Sequence, residues 1–304
     1  MATTGSAETA IDRQSLGYNP SHARTMSVFR RTSVYLARHP LALFGTILTA
    51  IVLLVALFAP VLAPYNPNFV NLSVKLTPPN HQYWFGTDED GRDLLSRIIY
   101  GCRLSVSTGL LVMVITTVVG AILGAVAGYN GGLLDEVIMR ISDFFMAFPY
   151  LILAMAIAFT LGASMQNAIL SIIVVFWPSY ARLIRGQVTS IRHREFVDAA
   201  RVLGAPTWRI IVRHILPQTW SSLVVKFSLD LGFAVIALAS LGFIGLGAPP
   251  PTSEWGTMIA DSRNYALSAW WYGLGPGLAI FLAVLGFNLV GDAVQELIEP
   301  SVRN

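Results

Sequence analysis

The sequence predicts an all-α polytopic membrane protein with six transmembrane helices, and three observations carry that prediction. Hydrophobic residues make up 54% of the 304 residues and charged residues only 12%, against about 25% charged in soluble domains. The mean hydropathy is +0.61. Uncharged runs recur at the length a bilayer demands, about 20 residues per helix, and the basic residues gather between them on alternate sides.

Met1–Pro40 holds five Arg and two acids and has no apolar stretch. It reads as a cytosolic tail (1–40) rather than a signal peptide. Its end, Phe29–Arg38, has the pattern of an amphipathic surface helix with Arg30, Arg31 and Arg38 near lipid headgroups. Leu41–Ala63 is uncharged and forms the first span (41–63), with Pro60 and Pro64 ending it. The polar stretch that follows (64–103) is expected outside. It contains W-F-G-T-D-E-D-G-R-D-L-L-S-R, Trp84–Arg97. Asp88, Asp90 and Gly91 do not make a calcium loop, because an EF-hand places its Gly two positions later. Asx turns leading into a helix from Arg92 are the expectation.

The second span is predicted over Leu104–Gly128, in which Gly120, Gly124 and Gly128 repeat every fourth residue. That spacing lays a small-residue ridge on one face, suited to close helix packing, either along a pore or in the bundle generally. Residues 135–143 read as a short charged connection. Phe144–Leu161 is the third span, kinked at Pro149, and Ala163–Ala181 the fourth, with Arg182 and Arg185 marking its cytosolic end. The fifth span lies in Thr219–Gly247. Lys226 and Asp230, one helical turn apart, read as a self-neutralising pair at its cytosolic end, where Lys226 snorkels. After a Pro-rich outer loop, Ala248–Arg263, the sixth span covers Leu274–Val290, with Trp270, Trp271 and Tyr272 at the outer interface. Asp292, Glu296, Glu299 and Arg303 then read as a cytosolic end, with 298–304 as the tail proper. Segments assigned inside carry 14 basic residues and those outside four, Lys75, Arg92, Arg97 and Arg263. The positive-inside rule therefore puts both termini in the cytosol.

The five-helix core (104–297), after the first helix, is interrupted by a charged island, 182–217, with seven Arg against Glu195 and Asp198. Two short helices are predicted there, His193–Leu203 and Thr207–Ile215. Gly204 and Pro206 separate them, and Pro217 closes the second. Ala199, Ala200 and Gly204 leave a flat surface that another protein could approach, with Arg194 and Arg201 set around it. The pattern Asp198-Ala199-Ala200-x3-Gly204-x9-His214-x-Leu216-Pro217 resembles the EAA loop of ABC importer permeases. It departs from that family's consensus at Asp198, where Glu is usual, and at His214, where an apolar residue is. F-G-T-D-x-x-G-R-D from Phe85, and Leu241–Gly256, resemble the peptide/nickel branch of the same family.

The resemblance implies the type I ABC importer permease architecture, in a bacterial cytoplasmic (inner) membrane with lipid around it. It implies three kinds of partner for this chain: a second homologous permease subunit, two cytosolic ATPase subunits, and an extracytoplasmic solute-binding protein. ATP and Mg would be held by the ATPase subunits, and no cofactor by this chain. The ATPase-coupling residues would be Glu195, Asp198, Ala199, Ala200, Arg201, Gly204, Leu216 and Pro217. The solute implied is a dipeptide or oligopeptide, with nickel complexes, glutathione or opines as alternatives.

The residues also exclude several classes. A phosphate-binding loop needs Gly-Lys-Ser or Gly-Lys-Thr, whereas the lysines are Lys75 and Lys226 and neither follows Gly. No Gly-x-Ser-x-Gly and no His-Glu-x-x-His occurs, so no catalytic residue is assigned. The single Cys102 permits neither an intrachain disulfide nor a Cys-based metal site, and it reads as a core thiol. Arg clustered between apolar spans is a poor match to nucleic-acid binding. A self-sufficient secondary transporter would need mid-membrane coupling charges and paired repeats, which the sequence does not display. Nothing in the sequence alone identifies substrate-binding residues.

Overall fold

The computed structural model describes residues 35–298, and from Phe44 onward the chain packs as one unit. The expected surface helix Phe29–Arg38 lies largely outside the described residues, as do Glu299 and Arg303. Ten α-helices can be numbered in order. They are α1 (Pro40–Leu62), α2 (Leu94–Asn130), α3 (Gly132–Met146), α4 (Tyr150–Leu161) and α5 (Met165–Ile191), then α6 (Glu195–Val202), α7 (Thr207–Ile210), α8 (Leu216–Phe243), α9 (Trp255–Ser262) and α10 (Trp270–Ile298).

Among the described residues, five continuous runs are long and apolar enough to cross a membrane: α1, α2, α5, Thr207–Phe243 and α10. The third expected span is not a straight helix. It is the pair α3 and α4, bent by 93°. Pro149 sits at the break as the N-cap of α4, where its missing N–H costs no helical bond. With 12 residues, α4 reaches only about 18 Å, short of the roughly 30 Å hydrocarbon core. Residues 135–143, read as a connection, are therefore helical. Their acids are matched by the basic residues of α5: Arg185 reaches Asp135 through two bonds of 2.9 and 2.6 Å, and Arg182 pairs with Asp143.

α1 keeps within one residue of its expected bounds, passing through Pro60 before it ends. Other helices outrun theirs because polar residues continue them beyond the apolar run: α10 continues through Asp292 and Glu296. α2 starts ten residues before Leu104, so the boundary expected at 103 falls inside a helix. Asp93 caps it, accepting the backbone N–H of Ser96 at 2.8 Å. Just upstream the expected Asx turn forms, with the backbone N–H groups of Asp90 and Arg92 donating to Asp88 Oδ1 at 2.9 and 2.8 Å. The other carboxylate oxygen of Asp88 is held between two guanidiniums, Arg92 Nε at 2.6 Å and Arg97 Nε at 3.3 Å. Asp88, Arg92 and Arg97 are all buried, so this ionic knot organises residues 64–93 over the end of α2.

The predicted stop at Pro217 is absent. Thr207 to Phe243 is one continuous helical run, entered through a π-helical turn at Ile211–Ile215. Pro217 lies in the first turn of α8, where its lack of a donor is tolerated. The wide turn before it takes up the mismatch.

The core lies along α2, α5 and α8. Gly120, Gly124 and Gly128 are buried and turn toward α5. A Cβ on them would lie 2.9 Å from the Trp177 carbonyl oxygen, 2.9 Å from Ala181 Cα and 2.7 Å from the Arg185 carbonyl oxygen respectively. A second cluster joins α2, α8, α9 and α10 around Trp255, Tyr272 and Phe287. Trp255 Nε1 donates to the Ile98 carbonyl at 3.0 Å. Glu254 caps α9 by accepting the N–H groups of Gly256 and Thr257, both at 2.8 Å, and burial pushes its carboxyl above the ordinary range.

Lys226 and Asp230 form the expected pair one helical turn apart on α8: Lys226 Nζ is 2.8 Å from Asp230 Oδ2 and 4.8 Å from the centroid of the Tyr180 ring on α5.

Candidate coupling site

The 182–217 island projects from the Arg-rich end of α5. Arg194 enters α6 in an extended conformation without a side-chain cap. Glu195 and Asp198 occupy the first turn and Arg201 the last, which matches the helix dipole at both ends. Arg201 also pairs with Asp198 at 2.8 Å. Gly204 terminates the helix with φ +75°, a conformation that L side chains avoid. The Gly204 N–H donates to the Arg201 carbonyl at 2.9 Å, and that of Ala205 to the Ala200 carbonyl at 3.0 Å. This is the Schellman pattern.

Two arginines, Arg192 at the end of α5 and Arg201 in α6, reach the end of α2. Arg192 donates to the carbonyls of Gly128 at 3.0 Å and Tyr129 at 3.3 Å, filling acceptors that the helix C-terminus leaves open. Arg201 Nε donates to the Tyr129 hydroxyl at 3.2 Å. The Arg201 guanidinium also lies 5.2 Å from the Tyr129 ring centroid.

An eight-residue helix has two faces, and these separate the coupling residues named from the sequence. Val197 and Ala200 are buried in the core, together with Ile210 and Ile215. Ala200 therefore cannot belong to an open contact surface, which corrects that expectation. Glu195, Asp198, Ala199, Arg201 and Gly204 are exposed. Leu216 packs against the core, and Pro217, though exposed, belongs to α8 rather than to the α6 surface. The sequence reading also missed the most prominent outward residues, Val202 at 88% exposure, Leu203 at 86% and Trp208 at 64%. Their signal was present: three large apolar side chains flank a Gly-Ala-Pro turn inside an Arg-rich island. Arg209 stacks over Trp208 at 5.6 Å. Arg182, Arg185, Arg192 and Arg201 are engaged within the chain, so the island presents a small apolar tip edged by charge, not a diffuse basic surface.

This architecture has solved counterparts. The inward-facing MetNI methionine ABC transporter contains a chain that matches with a TM-score of 0.52 and 19% identity, covering 67% of this chain and 97% of that one. At that identity the likeness is one of fold. Residues 120–304 match the family model described as binding-protein-dependent transport system inner membrane component, and residues 27–79 match the N-terminal TM domain of oligopeptide transport permease C. The chain belongs to this family of multi-pass ABC importer permeases. A "Probable D,D-dipeptide transport system permease protein" of Escherichia coli is 45% identical over 86% of this chain and 88% of its own length. A "Dipeptide transport system permease protein" of Alkalihalophilus pseudofirmus is 41% identical over 92% of both chains.

Proposed function

We propose that the chain is one of two permease subunits in an ATP-driven importer that carries dipeptides or oligopeptides across the bacterial cytoplasmic membrane, with both termini in the cytosol. The observation that carries the coupling part is the apolar tip where α6 turns into α7: Val202, Leu203 and Trp208 are exposed on a segment held to the end of α2 through Arg192 and Arg201. A fixed apolar tip rimmed by charge is the form of a protein docking surface, and its partner would be a cytosolic ATPase subunit. A second, homologous permease would present the matching loop to a second ATPase. ATP and Mg would be held by those subunits. An extracytoplasmic binding protein would deliver the solute at the opposite end, where residues 64–93 lie. The names of the two relatives support peptides as the solute class.

In this reading, closure of the ATPases displaces α6. The Arg192 and Arg201 contacts carry the displacement into α2, and the glycine seam carries it into α5. The test is reconstitution of the four membrane and ATPase subunits with the binding protein in proteoliposomes. Uptake of a labelled dipeptide should require ATP. Val202→Asp and Leu203→Asp should leave the chain inserted, while the ATPase subunits no longer co-purify and uptake is lost. Undiminished uptake in both variants would refute the coupling assignment, and ATP-independent uptake would refute the importer.

A further inference from the structure

Lys226 and Asp230 face a cavity of about 440 Å³ at the α3–α4 break. Its walls include the rings of Phe145, Phe148, Tyr150, Phe176 and Phe233. The side chains of Lys226 and Asp230 are 26% and 22% exposed, so the ion pair is presented to this space rather than sealed in the core. Charged groups on a helical run apolar enough to cross a membrane are costly and belong to bundle interiors and pathways, not to lipid. Their salt bridge lies within a single helix, and Lys226 also rests over the Tyr180 ring of α5. An ammonium offers three donors and a carboxylate about four acceptor sites, so these contacts leave capacity for a visitor.

The geometry points to a peptide-backbone site: we propose that Asp230 receives the α-ammonium and Lys226 the α-carboxylate of a short peptide in transit, while the aromatic walls receive its side chains. This rests on the peptide-importer reading above. The volume lies within the 300–1,000 Å³ typical of small-ligand sites. The match is one of charge order. Successive Cα atoms are about 3.8 Å apart, so the termini of a dipeptide are too far apart to enter the 2.8 Å Lys226–Asp230 gap. They lie alongside it instead, each terminus against the opposite charge, and close a ring of alternating charges with no net charge added. When the peptide leaves, Lys226 and Asp230 still neutralise each other, and no buried charge is stranded. Aromatic walls give apolar contact without demanding one side-chain shape, as a carrier of varied peptides requires.

The experiment uses the complete reconstituted transporter, with labelled alanylalanine as the probe and peptide uptake per ATP hydrolysed as the readout. Lys226→Met/Asp230→Leu removes both charges together and leaves neither unpaired. Uptake per ATP should fall about tenfold or more, as expected for lost charge-assisted hydrogen bonds. Lys226→Arg should retain most of it. Uptake per ATP within twofold of wild type in the double variant overturns the proposal. If the double variant does not assemble, the nearly isosteric Asp230→Asn makes the same comparison, and unchanged uptake there overturns the proposal equally. Failure of the wild type to move the dipeptide overturns the peptide reading itself, and this site with it.

Discussion

Gly124 offers the sharpest stability test, because what it touches is backbone. A Cβ built there lies 2.9 Å from Ala181 Cα and 3.0 Å from the Ala181 carbonyl carbon. Carbon atoms prefer about 3.5–4.0 Å, so even Gly124→Ala requires α2 and α5 to part by roughly half an ångström to one ångström. Neither helix backbone can rotate out of the way as a side chain could. A gap of that size forfeits a quarter to a half of each dispersion contact along the seam, and overpacking of this kind costs about 1–3 kcal/mol. Gly124→Leu should cost more, because the parting also opens the contacts at Gly120 and Gly128. The control is Gly186→Leu on α5, where a Cβ meets nothing within 4 Å and replacing Gly favours the helix by up to about 1 kcal/mol. SDS titration of the purified chain in mixed micelles should show a graded loss, with Gly124→Leu below Gly124→Ala below wild type, and no loss for Gly186→Leu. Equal stability of Gly124→Leu and wild type would place this face toward lipid and refute the close seam.

Other expectations follow from single contacts. Asp88→Ala strands Arg92 and Arg97 in a buried site, at about 3–5 kcal/mol; limited proteolysis should cut residues 64–93 readily in the variant and slowly in the wild type. Ala200→Glu should reduce the stability of the chain itself, because Ala200 is buried. Gly204→Asp meets no neighbour and should lose only the roughly 1–2 kcal/mol of a left-handed residue. Denaturation of the two variants side by side separates these effects. For topology, Gln82→Cys should react with an impermeant maleimide in intact cells and Thr207→Cys only after permeabilisation, both positions being exposed; labelling of Thr207→Cys in intact cells would invert the assignment.

The spans were legible because hydrocarbon tolerates so few charges that each apolar run announces itself. Their ends were not. Charged residues on α3 look like a loop until Asp135 and Asp143 are seen against Arg185 and Arg182, and nothing in the local sequence names partners some forty or fifty residues away. Pro217 reads as a stop, yet a π turn ahead of it lets the helix proceed. The Ala199-Ala200 pair could have been resolved beforehand. Neighbours on a helix diverge by about 100°, so the two cannot face one partner. Val197 with Ala200 and Ala199 with Val202 are the same-face pairs.

The two arginine contacts to the end of α2 also set how stiff the loop is. Arg192 spans 64 positions in the chain to reach Gly128, and Arg201 spans 72 to reach Tyr129, so α6 and the end of α5 are both fastened to α2. A load applied to the tip of the loop meets a braced slab on one side. On the other, it meets the Gly204 corner and the five-residue π turn, whose wider hydrogen-bond rings make it the compliant joint. Strain therefore concentrates at Ile211–Ile215, at the foot of the helix that carries Lys226 and Asp230.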